Sequence, residues 1–488
     1  MGYVTKEIDK YQMSLTPMSF DEMIEEGNPV RAIDAFVEML DLSACKYVKP
    51  KETGRPPYNP KDMMKLYVYG YFNGIRTSRK LERECRRNIE LMWLLNNLTP
   101  DDKTISNFRR DNKKAVISAF RQFSMLCQEL NLIGKEIIAI DGSKFRACNA
   151  RQRNFTKNKA AKMLIHYEDC AKKYIELLEQ DSSDEEKVVT KDKLNAALKR
   201  IAELEAMANQ IAEKGEISMT DPDSRHMSVS NNGTDIAHNV QIAVDEKNHL
   251  IVAMDVTSNA HDNGQLTPIA EQAKEALGVE EITALADKGY YNGKCLNHCQ
   301  ENGIKAIVSK PKFGGHAGDK NYAKDKFVYD KAKDVFICPA DQELRCRSRS
   351  EKRIVYRGIS CRACECVSEC TTSESGREIV LREHNEVYLK ADELFAKNIE
   401  LYKKRQMIVE HPFGTIKRAL GYTYFLTRGN ANVKNESYLH CLTYNLKRAV
   451  NIVGVAPLID AMSVKTGKTA KEISVNLAVF GFLAKSSL

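Results

Sequence analysis

The chain has 488 residues, of which 43% are hydrophobic and 29% charged, and its net charge is +8. That length allows several domains and at least one large core, and no apolar run approaches the roughly 18 residues of a membrane span. The opening MGYVTKEIDKYQMSL has neither the apolar core nor the cleavage site of a secretion signal, so a cytoplasmic protein is expected.

Up to about residue 134 the sequence reads as helix, with apolar residues at helical spacing in PKDMMKLYVYGYFNGI and IELMWLLNNL. Thr99-Pro100 resembles a cap before the basic helix DDKTISNFRRDNKKAV. From Arg76 to Arg87 six basic residues stand against two acidic ones, and from Lys144 to Lys162 seven stand against none. Such runs are either solvated faces or contacts for a polyanion. A DNA-binding head and a plain helical bundle both fit this first part.

The period then changes. Residues 136–147 (EIIAIDGSKFRA) form a short apolar strand that ends at Asp141-Gly142. Residues 239–258 read as two strands turning at Asp245–Asn248, a hairpin. A further strand in residues 281–292 ends on Asp287-Lys288-Gly289, and residues 305–311 look like one more. Two inserts interrupt this set. The first spans 156–219, where Leu194, Leu198, Ile201, Leu204, Ala208 and Ile211 step by three and four as in a helical hairpin or coiled coil, with residues 181–186 as its turn. The second holds six of the fourteen cysteines, between Cys338 and Cys370. Beyond Gly421 the chain returns to helix.

Strand ends in open sheets present reacting groups, because side chains there leave the packed interior. Asp141 and Asp287 occupy such positions, and Glu410 is a lone carboxylate in the basic stretch LYKKRQMIVEHPFGTIKRALG. A single Asp-Gly is most often only a turn; two of them plus this Glu form a more specific set. Two Mg²⁺ ions about 3.5–4 Å apart need anionic oxygen ligands and leave positions open for water and phosphate. A carboxylate trio inside basic segments therefore fits metal-dependent phosphodiester chemistry. Pro412 lacks a backbone donor and would clash with the Ile408 carbonyl, so a kink or helix restart is expected just at Glu410.

Cys361 and Cys364 have CxxC spacing, and with Cys338 and Cys370 they make a candidate Cys₄ set for structural Zn²⁺. Cys346 and Cys366 are surplus or alternative ligands, and free thiols are the plain alternative.

These residues resemble the DDE transposases of bacterial insertion sequences over nearly the whole chain. The segment RAIDAFVEML to PDDKTISNFRR resembles the family's helical N-terminal domain; IIAIDGSKFRA and ALADKGYYN resemble the strands bearing its two catalytic Asp residues, which gives those roles to Asp141 and Asp287. Tyr402, Arg405, Glu410 and Lys417 are similar to a signature of Tyr, two residues, Arg, three residues, Glu, six residues, Lys. Here four residues, not three, separate Arg405 from Glu410.

The resemblance implies an α/β fold with an RNase H-like mixed-sheet catalytic core and a helical N-terminal domain. The domains expected are a helical DNA-binding part at 1–134, a core from 135–155, 220–320 and 385–450, a helical hairpin at 156–219, a Cys-rich insert at 321–384 and a tail at 451–488. It implies two Mg²⁺ ions (Mn²⁺ substituting) held by Asp141, Asp287 and Glu410. DNA contacts are expected at Lys417, Arg405, Tyr402, Lys144, Arg146, Arg109 and Arg110. The partners implied are terminal inverted repeats and target DNA, bound by a homodimer or larger synaptic assembly at the nucleoid. Alternatives are an RNase H-like nuclease that does not integrate, or an inactive transposase-derived repressor.

Overall fold

A computed structural model of the chain describes residues 18–46, 56–179, 183–229, 233–311, 322, 324–330, 332–350, 353–382 and 384–466. Its first part is six helices, Pro29–Met39, Pro60–Phe72, Ser78–Cys85, Ile89–Leu94, Asp102–Asp111 and Lys113–Glu129. Five of them start at a residue whose side chain accepts from the first turn: Asn28, Asn59, Thr77, Asn88 and Asp101. These caps satisfy donors that have no partner inside the helix. The cap of the basic helix is thus Asp101, two residues past the expected Thr99, because its carboxylate reaches both Lys103 N (3.0 Å) and Thr104 N (2.9 Å).

Among the basic residues of the run 76–87 only Arg76 is buried; the others lie at the surface. Arg79, Arg83, Arg86 and Arg87 each lie within ion-pair reach of Asp102, Glu84 or Glu82. Arg76 is buried, donates to Tyr424 O at 2.7 Å, lies 3.7 Å from the buried Glu436, and stacks over the rings of Tyr422 and Tyr424. This knot joins the N-terminal helices to the rest of the chain.

The central sheet is built on β1 (Ile137–Arg146), β2 (Gly233–Asp245), β3 (Ile251–Thr257), β4 (Ile282–Ala286) and β5 (Ile304–Val308). Their order is β3-β2-β1-β4-β5, and a short strand, Arg225–Val229, shares the β3 edge of β2. The first three strands run antiparallel, while β4 and β5 run parallel to β1. Parallel neighbours need crossovers. Leu266–Leu277 precedes β4, and Gly293–Glu301 joins β4 to β5. Ile138, Ala139, Ile140, Ala284, Leu285 and Ala286 are buried, so the apolar core sits at the middle of the sheet. Helix Ile399–Gly414 packs on β1, β2 and β4, and the long helix Asn430–Val453 ties β3 to the N-terminal helices.

Three expectations about local structure need correction. Asp141 does not close its strand, since β1 runs on to Arg146 through its pairing with β2. What ends near Asp141 is the parallel ladder, whose last pair is Ile140 with Ala286. Nor does the helix restart at Glu410: it continues through Pro412 to Gly414, and the departure from α geometry comes at Thr415–Ala419, a π-helical segment closed by Leu420 N to Thr415 O at 2.9 Å. Wide turns of this kind absorb a local mismatch in the helical ladder. In the first insert, helices Lys157–Glu179 and Asp184–Lys214 form a hairpin on a two-stranded base. Its seam is Ala197, Leu204 and Ile211, seven residues apart, while Leu198 is exposed. A single partner helix covers only a narrow stripe. Residues 181 and 182 of the expected turn lie outside the described residues, as does the tail beyond Thr466.

The Cys-rich insert is a five-stranded antiparallel sheet with its own small core of Phe327, Phe336, Leu344, Tyr356 and Ile379.

Breaking the interdomain knot tests its weight. Arg76→Ala leaves Glu436 without its nearby cation, and loss of one buried partner costs about 3–5 kcal/mol. Urea unfolding should show that loss, whereas Arg79→Ala, at the exposed pair, should shift stability by less than about 1 kcal/mol.

Candidate active site

Parallel strands in register point the same-numbered side chains to one face. Ile140 pairs with Ala286, so Asp141 and Asp287 come next, side by side, one position beyond the last pair of the β1–β4 ladder. Adjacent strands are about 4.8 Å apart, which brings two carboxylates close together at the mouth of the sheet. Asp141 Oδ1 accepts from Gly142 N at 2.8 Å and Asp287 Oδ1 from Gly289 N at 2.8 Å. Burial pushes the Asp141 carboxyl up to about 6; Arg405 and the Gly142 N–H oppose this, and Asp287 and Asp262 add to it. A desolvated carboxyl with a second acid beside it favours a bound cation.

Arg405 is the cation nearest Asp141, with Nη1 3.7 Å from Asp141 Oδ2. That Nη1 is buried and makes no hydrogen bond. Five residues further, at about 100° each, Glu410 lies roughly 140° round the helix from Arg405. It belongs instead to the stripe Gln406, Glu410, Phe413, Lys417, spaced four, three and four. The later members of that stripe meet β1: Phe413 packs on Phe145 at 6.3 Å, and Lys417 Nζ donates to Ser143 Oγ (2.6 Å) and Lys144 O (2.8 Å). Glu410 itself is exposed and accepts from Gln406 Nε2 at 2.7 Å. Among the described residues no three His, Cys, Asp or Glu side chains are arranged to hold a metal ion, so the trio is not drawn to one point.

Lys417 is half-buried against β1 at this mouth. Its ammonium sits 4.4 Å from the centre of the Phe145 ring. Burial lowers it to about 8, helped by Lys144 and resisted by Asp141.

The other expected DNA contacts divide. Arg146 and Arg110 are exposed, although Arg110 chelates its neighbour Asp111 at 2.8 and 2.9 Å. Lys144 is held by Asp262 at 3.0 and 3.2 Å. Tyr402 OH donates to Ser309 Oγ at 2.9 Å. Arg109 is a correction: it donates to Tyr71 OH at 2.9 Å and lies over the Tyr67 ring, in the packing between the N-terminal helices. Its position in a basic helix gave no sign of which side faces inward.

Sequence reading missed Asp262, a partly exposed carboxylate beside the acids that lines an open cavity with Gly289 and Tyr291. Asp262 lies next to both of their glycines: a Cβ on Gly142 would stand 2.5 Å from Asp262 Oδ1, and one on Gly289 3.8 Å from Asp262 Oδ2. Gln241, fully buried and opposite Gly142 in the register, donates to Asp262 Oδ1 at 2.7 Å and accepts from Tyr290 OH. Asn239 Nδ2 donates to the same oxygen at 2.8 Å. The usable signal was polar Asn239 and Gln241 beside the apolar Val240, Ile242, Ala243 and Val244 of one strand, since buried polar groups need partners.

In the second insert, Cys338, Cys361, Cys364, Cys366 and Cys370 line one small pocket. Burial raises the Cys370 thiol, and Cys361, Cys338 and Cys364 raise it further. Gly358 and Gly376 make the room, because a Cβ there would stand 2.1 Å from Cys361 Sγ or 2.8 Å from Cys361 Cβ. Gln342 N donates to Cys338 Sγ at 3.3 Å.

Two family models match the chain. One, described as a transposase domain (DUF772), covers residues 18–111; the other, described as a transposase DDE domain, covers residues 218–446. The chain is a DDE-type transposase of an insertion-sequence family. The second match spans β2 to the long C-terminal helix, including Asp287 and Glu410. No curated protein matches. A solved structure, the cryo-EM structure of a piggyBac transposase synaptic complex with hairpin DNA, aligns over 92% of this chain and 79% of that chain, at 8% identity and a TM-score of 0.30. A likeness at that score carries no argument about the fold. Among the described residues no helix of this transposase is long and apolar enough to cross a membrane.

The tight approach at Gly142 gives a test of the site. A methyl group there would stand 2.1 Å from Gln241 Nε2. Gly142→Ala should therefore displace β1 beside Asp141 and lower the rate of DNA end cleavage by about 100-fold, the cost of roughly 1 Å of misplacement. Single-turnover cleavage of a labelled transposon end measures it.

Proposed function

We propose that the protein binds the terminal inverted repeats of its insertion sequence, cleaves the DNA there, and joins the freed 3′-hydroxyls to target DNA. The acids are Asp141, Asp287 and Glu410. The observation that carries this reading is the in-register placement of Asp141 and Asp287 beyond the last pair of two parallel strands. The order β3-β2-β1-β4-β5, with three antiparallel strands followed by two parallel ones, supports an RNase H-like core.

The donor set suits a hard divalent cation, since carboxylate oxygens in a partly dry, mutually repelling pair gain from one. Two Mg²⁺ ions, or Mn²⁺ in their place, would supply activation of the attacking oxygen and stabilisation of the leaving one. Asp141 and Asp287 would hold them from the strand ends. Glu410 would complete the set by exchanging its Gln406 contact for the cation. Lys417, from its seat on Ser143 and Phe145, would hold a non-bridging phosphate oxygen, and Arg405 would balance charge at Asp141. Tyr402, Arg146, Arg110 and, once released from Asp262, Lys144 extend the proposed DNA surface. Work on two ends at once calls for a homodimer or larger assembly on double-stranded DNA, placed at the nucleoid.

Zinc is the second proposed metal, at Cys338, Cys361, Cys364 and Cys370. The shared pocket and the two glycines that admit Cys361 support it, although among the described residues no three of these thiols are arranged to hold an ion. Four thiolates leave no open position, so the role is structural. Purified protein should carry about one zinc per chain by elemental analysis, and Cys361→Ser together with Cys364→Ser should remove it.

The functional test uses a labelled terminal-repeat end and a supercoiled plasmid with Mg²⁺. Wild-type protein should give joined product, and Asp287→Asn should abolish both cleavage and joining while end binding persists. Cleavage without joining would leave a nuclease, and full activity in Asp287→Asn would remove the assigned site.

A further inference from the structure

Behind the two acids lies a polar layer that no part of the proposed chemistry uses. Asp262 follows β3 in the loop that leads to the crossover helix, outside the three acids of the family signature. Its Oδ1 accepts from three donors, Lys144 Nζ at 3.0 Å, Asn239 Nδ2 at 2.8 Å and Gln241 Nε2 at 2.7 Å, and its Oδ2 takes Lys144 again at 3.2 Å. Asn239, Gln241 and Tyr290 are fully buried. A carboxylate that collects that many donors at the edge of a dry interior is fixed in place.

Its position relative to the acids gives the layer a purpose. Gly142 follows Asp141, and its Cα faces Asp262 and Gln241 so closely that no side chain fits. Gly289 and Tyr290 follow Asp287, and the Tyr290 hydroxyl donates to Gln241 Oε1. One chain of contacts, Gly142 to Asp262 and Gln241, then to Tyr290, therefore joins the residues just after Asp141 to those just after Asp287. The parallel ladder ends one pair before the acids, at Ile140 and Ala286, and the side-chain layer continues the link between the two strands beyond that pair. Lys144, the cation closest to this layer, is neutralised by the same carboxylate, which keeps its charge away from a cation at the mouth.

We propose that Asp262 is a positioning residue that, through Gln241 and Tyr290, holds Asp141 and Asp287 at the separation a divalent cation requires and neutralises Lys144 beside them. This rests on the reading of Asp141 and Asp287 as cation ligands. It adds a residue outside the signature, acting without touching DNA or the cation. Outer partners of this kind typically change metal affinity by 10- to 100-fold.

The test is calorimetric titration of the full-length protein with Mn²⁺, without DNA, alongside thermal melting and end-DNA binding in EDTA. Wild-type protein should bind Mn²⁺, and Asp287→Asn should abolish that binding; failure of either result overturns the underlying site rather than the role of Asp262. Given those, Asp262→Asn should weaken Mn²⁺ binding about tenfold, with melting temperature close to wild type and metal-free DNA binding no weaker than wild type. Tyr290→Phe removes only the hydroxyl at the far end of the relay and should weaken Mn²⁺ binding several-fold. Unchanged Mn²⁺ affinity in Asp262→Asn overturns the proposal. If Asp262→Asn fails to fold, Tyr290→Phe decides, and wild-type affinity there overturns the relay.

Discussion

The register of two parallel strands governs this protein's chemistry. Ile140 opposite Ala286 leaves Asp141 and Asp287 as the next residues on neighbouring strands. A slip of one residue on either strand would turn one carboxylate to the other face of the sheet. The apolar run 138–140 against 284–286, fully buried, fixes that register. The crossover helices on either side of β4 exist because parallel strands cannot be joined by a tight turn.

Placing two acids together at a partly dry mouth raises an electrostatic cost that the surroundings offset in several ways. The Gly142 N–H and the Arg405 guanidinium both favour ionised Asp141. The Gly289 N–H donates to Asp287 Oδ1 at 2.8 Å and orients that carboxylate. Asp262 would add repulsion, but Lys144, Asn239 and Gln241 surround it with donors. The result is a mouth with acids in front and a satisfied polar layer behind. Lys417 stands to one side, on a helix whose π segment begins three residues after Pro412.

The same accounting applies to two arginines of the N-terminal helices. Arg76 and Arg109 are drawn into an aromatic knot with Tyr71, Tyr422, His440 and Glu436. An arginine buys much apolar contact along its stem while its head finds a carboxylate or a ring. Tyr422 OH donates to Tyr71 O across this interface, and Asn435 Nδ2 donates to Arg109 O at 2.9 Å. The helical part and the sheet are thereby packed as neighbours through side chains separated by more than 300 positions.

The sequence by itself determined the period change from helix to strand near residue 136, the hairpin of β2 and β3, the helical insert and the Asp-Gly and Asp-Lys-Gly positions of the two acids. Each of these is a local property, set by apolar spacing and turn residues within a few positions. It also carried the resemblance to transposases, through short motifs of fixed spacing. Only the tertiary structure decided that β1 continues past Asp141, because β2, about a hundred residues away, supplies the partner. The same holds for Arg109 facing inward, for the narrow Ala197, Leu204, Ile211 seam, and for Asp262 standing behind both acids. In each case the deciding contact is long-range, and a side chain's own neighbours in sequence do not say which surface it will meet when the chain closes on itself.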